Sequence, residues 1–145
     1  MDIAIVGCGA MGSVYAGLLA SAGHAVTAIA PNAAHVRAMA EQGLRLEGAS
    51  GDRVVRLRAL TQPPAQAMDL IIIATKAGAV PEAAQQARPM LAPHTVVLTL
   101  QNGLGSAPLV AQALGADVLA VGVAAAFGAS LRGPGHAHHN HMAAI

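Results

Sequence analysis

The chain has 145 residues, a net charge of +1 and 10% charged residues, with no basic run and only two aromatic residues, Tyr15 and Phe127. That length suits one domain with a real core, and the charge pattern argues against a nucleic-acid surface built from clustered Lys and Arg. A single cysteine, Cys8, excludes an internal disulfide and a cysteine zinc cluster.

Residues Ile3–Val6 form a short β-branched run that ends at Gly7. From Gly12 the pattern GSVYAGLLASAG predicts a helix, stopped by Gly23. A second strand follows over His24–Ala30, broken by Pro31 and Asn32, and AAHVRAMAEQG is a second helix ending at Gly43. The segment LRLEGASGDRVVRLRAL alternates apolar and charged residues about a turn, which predicts a single hairpin with one wet face. Asp69–Thr75 is an unbroken apolar run, as a parallel strand covered on both faces requires. GAVPEAAQQARPMLAP reads as one helix with Pro81 in its first turn, where a missing N–H costs little. TVVLTL is a strand, SAPLVAQALG a helix and DVLAVGVAAA a further strand. The tail carries Gly133, Pro134, Gly135 and HAHHNH, and HMAAI at its end looks like the start of a strand.

This alternation of strands with helices predicts right-handed crossovers. The expected fold class is therefore α/β: a Rossmann-type doubly wound, mostly parallel sheet with helices on both faces. Residues 1–145 are read as one dinucleotide-binding domain, cut short near its C-terminal hairpin. The N-terminus MDIAIVGCGAMG has no basic segment of a signal peptide. No apolar stretch reaches transmembrane length without Gly, Pro or a polar break. A cytoplasmic protein without membrane contact is expected.

GCGAMG, Gly7–Gly12, is a GxGxxG match that follows a strand and opens a helix, the context that makes the pattern informative. Gly7 permits the tight turn out of the strand. Gly9 lets a pyrophosphate approach the backbone, and Gly12 lets the helix pack closely. Free N–H groups and the positive helix end would hold the phosphates. Gly7, Cys8, Gly9, Ala10, Met11 and Gly12 are thus candidate cofactor-binding residues. Cys8 has no activating base nearby in sequence and is read as a small side chain at a variable position. An NAD site usually places an acid about 20 residues beyond the motif, but here no acid stands between Asp2 and Glu41. That absence favours NADP over NAD, with Asn32 as the ribose-side candidate.

In an open parallel sheet, ligands lie outside the carboxyl ends of the strands. Two further strand ends bear unusual residues there: Thr75-Lys76, which includes the sole lysine, and Gln101-Asn102-Gly103. An ammonium at Lys76 suits ribose or phosphate oxygens, and Asn102 offers both donor and acceptor to a cofactor or a substrate carbonyl.

GCGAMG, DLIIIATKA and LTLQNGLG, in this order and spacing, resemble the ketopantoate reductase (2-dehydropantoate 2-reductase) family. The tail GVAAAFGASLRGPGHAHH is similar in layout to the segment that leads into that family's antiparallel hairpin. The resemblance covers the whole chain but only the first half of a family member. It implies hydride transfer from NADPH to the ketone of a 2-oxo acid, 2-dehydropantoate, giving pantoate in pantothenate and coenzyme A precursor synthesis. By position it implies that Gly7–Gly12 hold the pyrophosphate and that Lys76 touches the cofactor near its ribose or nicotinamide. It further implies that Asn102 meets both cofactor and substrate and that Gly128 lines the nicotinamide site. Two departures stand out. Pro31-Asn32 replaces an arginine that family members often carry after the second strand. The family's catalytic lysine also belongs to a second, all-helical domain, absent here, so no catalytic residue is expected in this chain and the chain alone is expected to be inactive.

HAHHNH invites a metal reading, with His136 and His138 on one strand face and His139 and His141 on the other. With no cysteine or carboxylate joining them, an exposed edge hairpin is preferred and no metal is expected. Two other functions compete: a free-standing Rossmann nucleotide-sensing domain, and part of another two-domain hydroxy-acid dehydrogenase. A homodimer is a further expectation, from apolar surface left by a missing domain.

Overall fold

The computed structural model describes residues 1–101 and 105–142. Its main sheet is built from β1 (Asp2–Val6), β2 (Ala25–Ile29), β5 (Arg58–Leu60), β6 (Leu70–Ile73), β7 (Val96–Thr99) and β8 (Leu119–Val121). These lie in the order β5-β2-β1-β6-β7-β8, and every pairing is parallel. A second sheet, β4-β3-β10-β9, joins β3 (Leu44–Gly48), β4 (Arg53–Val55), β9 (Phe127–Gly133) and β10 (His136–Met142). Among the described residues the α-helices are α1 (Ala10–Ser21), α2 (Ala33–Gln42), α3 (Val80–Ala87) and α4 (Ser106–Leu114).

The main sheet is apolar on both faces because both are covered. In β1, Ile3 and Ile5 enter one core with Val36, Met39, Leu44 and Leu46, while Ala4 and Val6 enter another with Ile71, Val80 and Ala84. The first core lies on the side of α1, α2 and the second sheet; the second lies under α3 and α4. α1 touches β1 and β2 on one side and β3, β4, β9 and β10 on the other. A helix enclosed in this way has no wet face, which accounts for its apolar sequence. Gly17 allows the closeness, since a Cβ there would lie 3.0 Å from Leu46.

The α/β, doubly wound architecture matches the expectation, but four elements differ from it. The predicted single hairpin is split: β3 and β4 pair antiparallel in the second sheet, whereas β5 crosses to the main sheet and runs parallel to β2. There it satisfies backbone groups that β2 would otherwise leave open, and buried Ala59 pairs with Ala28. The long predicted helix breaks into a 3-10 turn at Ala77–Ala79, then α3, then a second 3-10 turn at Arg88–Met90. Pro89 has no N–H to continue the α ladder. β8 ends at Val121, because β7 ends at Thr99 and the last bond between them comes from the Gly122 N–H. The histidine segment is not an edge. β10 lies between β3 (parallel) and β9 (antiparallel); His139 is buried by alternation with Ala137, and a register shift between His139 and His141 leaves His141 exposed. The final residues of HMAAI, 143–145, lie outside the described residues.

Candidate functional site

The strand order places the topological switch point between β1 and β6. The chain moves from β1 outward to β2 on one side, then returns to β6 on the other. At this point the Gly7 backbone has φ +90°, and a Cβ on it would fall 2.4 Å from the Thr75 side chain. The N–H groups of Gly7 and Cys8 both donate to the Ile29 carbonyl, at 3.0 and 2.9 Å. They pin the turn to the end of β2 and are not free for a ligand. The donors left at the head of α1 are those of its first turn, Ala10 to Gly12, which have no intrahelical acceptor. Gly9 faces open space, while a Cβ on Gly12 would lie 2.5 Å from the Gly7 carbonyl oxygen. Each glycine of the motif thus answers to a different constraint.

A cleft of about 450 Å³ opens over this turn. Its floor is Gly7 to Met11, its far side is Ala30, Pro31, Asn32 and His35, and its near side is Ala74, Thr75, Lys76 and Ala79. Leu131 of β9 closes it from the second sheet. An adjoining lobe of about 180 Å³ shares Met11, Thr75 and Lys76 and adds Tyr15, Leu100, Gln101 and Ala124. Lys76, at the end of β6, is exposed and borders both spaces. The Thr75 hydroxyl is buried without a hydrogen-bond partner among the described residues. It also borders a third space of about 160 Å³ under β2 and α3, where Glu82 lies.

Asn32 caps α2. Its side-chain oxygen accepts the His35 N–H at 3.1 Å, which leaves its amide NH2 exposed beside the positive end of the helix. Arg37 does not reach the cleft; it lines a separate depression with Ala34 and Pro134. Gln101 straps the site's second edge. Its amide donates to the carbonyls of Ile73 at 2.8 Å and Thr75 at 3.0 Å, and its oxygen accepts from the Thr99 hydroxyl. Asn102 lies outside the described residues. Gly128 is not brought into the cleft: it sits in β9 against the His141 ring, and Ala124 and Leu131 border the cleft instead.

Cys8 is fully buried, and burial pushes its thiol up to about 11, so it stays protonated at neutral pH. That state is inert as a nucleophile. Tyr15 stacks on Phe127 with centroids 4.9 Å apart, and Phe127 packs on His139 at 4.6 Å. Partial burial raises the Tyr15 phenol above its ordinary value. His35 is 2% exposed and hydrogen-bonded through both ring nitrogens. Thr75, Gln101, Tyr15, His35 and Leu131 were not among the candidates from the sequence. Thr75 and Gln101 carried a signal, as polar residues at strand ends beside Lys76 and Asn102. Tyr15, His35 and Leu131 carried none, because tertiary packing alone brings them to the cleft. No group of three metal-ligating side chains occurs among the described residues, and no described helix is long and apolar enough to cross a membrane.

Residues 3–145 match the family model described as Ketopantoate reductase PanE/ApbA. The chain is 42% identical over 106 residues to a 2-dehydropantoate 2-reductase of Pyrococcus abyssi, covering 73% of this chain and 34% of that protein. Among solved structures, 2-dehydropantoate 2-reductase from Geobacter metallireducens is 32% identical with a TM-score of 0.89, covering 98% of this chain and 47% of that one. D-mandelate dehydrogenase, solved with NADH and anilino(oxo)acetate, is 30% identical with a TM-score of 0.88, covering 96% and 45%. The chain therefore spans about a third to a half of the length of the relatives it matches.

Proposed function

Because the chain belongs to the ketopantoate reductase PanE/ApbA family, we propose that it is the nucleotide-binding portion of an oxidoreductase that reduces a small 2-oxo acid. The observation that carries this is the convergence of the glycine turn, Thr75, Lys76 and the Gln101 strap on one cleft at the switch point of the sheet. Residues 1–145 act as one dinucleotide-binding domain in this proposal. The pyrophosphate lies on the first turn of α1, where unpaired N–H groups and the helix dipole favour negative charge. The adenosine end lies over Ala30–Asn32. The nicotinamide end lies in the smaller lobe, beside Met11, Tyr15 and Lys76.

The proposed cofactor is NADPH. No carboxylate lines the described part of the larger cleft to favour a free ribose 2′-hydroxyl, and the Asn32 amide and the head of α2 suit a 2′-phosphate. NADPH supplies a hydride to the substrate ketone, taken to be that of 2-dehydropantoate. Lys76 holds ribose or phosphate oxygens, and Asn102 is assigned to cofactor and substrate together. The reduced oxygen also needs a proton donor. No carboxyl or imidazole lines the smaller lobe among the described residues. That donor is assigned to the part of the relatives that this chain does not span, so the chain alone binds nucleotide without efficient turnover. A cytoplasmic location is proposed, as is a homodimer, the latter on the exposed apolar surface of Val121 and Val123.

The D-mandelate dehydrogenase likeness supports a second reading, in which the cofactor is NADH and the substrate another 2-oxo acid. Titration with NADPH and NADH separates the two. Lys76→Ala should weaken the preferred nucleotide by about 1–3 kcal/mol, as loss of a charge-assisted hydrogen bond does, with the melting temperature unchanged. Unaltered affinity would remove Lys76 from the site, and absence of binding by either nucleotide would remove the proposal.

A further inference from the structure

His35 is a buried titratable group to which the assignments above give no role. Its Nδ1 accepts the backbone N–H of Gly135 at 2.9 Å, so that nitrogen carries no proton. The ring proton is therefore on Nε2, which lies 3.1 Å from the Ser13 hydroxyl and donates to it. The Ser13 Oγ lies in turn 3.5 Å from the Cys8 Sγ. A polar chain thus runs from the tip of the β9–β10 hairpin through α2 and the first turn of α1 to the glycine turn. The same hairpin brings Leu131 into the larger cleft, and the His35 ring lines that cleft itself.

We propose that neutral His35 is a positioning residue for the nucleotide cleft, clamping the hairpin wall against the glycine turn, and that nucleotide affinity falls when His35 takes up a proton. The proposal rests on the nucleotide-binding reading above. A proton on Nδ1 would face the Gly135 N–H, donor against donor. The Gly135 N–H would lose its acceptor, the tip would be left on the Arg45 N–H bond to the Gly135 carbonyl and the pairing of β10 with β3, and the wall that carries Leu131 would loosen.

The groups around the ring leave this titration to His35. From the glycine turn it meets Cys8, whose thiol stays protonated. From α1 it meets Ser13, and from its own helix Asn32. The charged and titratable side chains of β3 and the hairpin are placed elsewhere: Arg45 pairs with Asp52, Arg132 and His136 lie on Glu47, His138 bonds Asn140, His139 packs on Phe127 and His141 lies over Gly128. Arg58 of β5 donates to Gln66. Burial lowers the basicity of His35, a backbone contact with Cys8 partly opposes this, and no charge contributes. The loss of affinity therefore falls below the ordinary histidine value of 6.5.

Calorimetric titration of NADP+ and NAD+ between about pH 5 and pH 8 tests this, comparing wild type, His35→Gln and His35→Leu. Glutamine can accept from Gly135 and donate to Ser13 but takes no proton. Wild type should lose roughly fivefold or more in affinity toward the acid end. His35→Gln should lack that part of the pH dependence, whatever its affinity at the alkaline end. His35→Leu should be weaker throughout. The 2′-phosphate of NADP titrates near pH ~6 itself, but it is common to all variants and cancels between them. Equal pH slopes in wild type and His35→Gln would overturn the proposal. If His35→Gln does not fold, the ring titration of His35 followed by NMR in the wild type decides. Bound nucleotide must lower its pKa, by reciprocity, and an unmoved pKa overturns the clamp. Failure of wild type to bind either nucleotide at the alkaline end would instead sink the underlying reading and the clamp with it.

Discussion

The two sheets of this protein solve different problems. The main sheet is parallel, covered by helices on one face and by helices and the second sheet on the other, and its strand interiors are Ile, Val, Ala, Leu and Thr without a charge. The second sheet is mixed, and its strands carry Arg45, Glu47, Arg53, Arg132 and four histidines. Among the described residues α1 covers one of its faces, where Leu44, Leu46, Ala137 and His139 are buried. The candidate site draws its backbone geometry from the first sheet and a wall from the second. Precision at the glycine turn comes from steric necessity. The wall is held by its own sheet, and its seat against the glycine turn adds polar contacts through His35 and the Tyr15–Phe127 stack, which makes that seat the part that conditions can loosen.

This contrast is broken most strongly at the turn. Gly7→Ala should destabilise the protein by about 3 kcal/mol, since it combines a positive φ with a clash against Thr75. Gly9→Ala, with open space around it, should leave the denaturation midpoint unchanged and weaken only nucleotide binding. Equal midpoints for the two variants would show that the turn is not sterically determined.

The second sheet should respond to acid where the first does not. His139 is fully buried, and its ring nitrogens have no partner among the described residues. Burial first, then the neighbouring His141 and His138, hold its basicity below the ordinary value of 6.5. His35 is depressed likewise. A base depressed by folding binds fewer protons in the native state than in the unfolded one. Its contribution to stability is therefore present above pH 6.5 and is lost as the pH falls through its folded value. Melting temperature should decline on acidification below neutrality. His139→Leu should flatten that decline at no cost near neutral pH, because it replaces an unpartnered polar group by an apolar one. A steeper decline in the variant would show that His139 has a partner in the native state.

The smallest effect is expected on the wet face. Asp52 pairs with Arg45 at 2.8 Å, yet both side chains are about half exposed. Asp52→Ala should leave the melting temperature nearly unchanged, and any loss should vanish in high salt. A larger loss would mean that the outer face of this sheet carries more of the fold than its exposure suggests.

Much of the fold was legible in the sequence, and the reasons are local. β1, β2, β6 and β7 stand out because strands covered on both faces must be apolar throughout. The glycine motif stands out because each of its positions tolerates no larger side chain or needs open space. Pro89 ended a helix that hydropathy alone extended, and Arg53 to Leu60 read as one strand of a hairpin because alternation does not say which sheet a residue joins. Asn32 and Lys76 were named from strand-end logic and lie on the cleft. Gly128 was named from position in a resemblance, and a strand register sent it elsewhere.

By itself the sequence determined the order of strands and helices, the glycine turn and the strand ends that carry polar residues, since these follow from periodicity and steric limits within short segments. Only the tertiary structure decided that β5 changes sheets, that β10 is an interior strand, and that Leu131, Tyr15 and His35 reach the cleft. These depend on pairings between segments distant in the chain, such as Gly135 on His35, 100 positions away. No local pattern encodes such a pairing, because its free energy arises only when both partners have been brought together and dried.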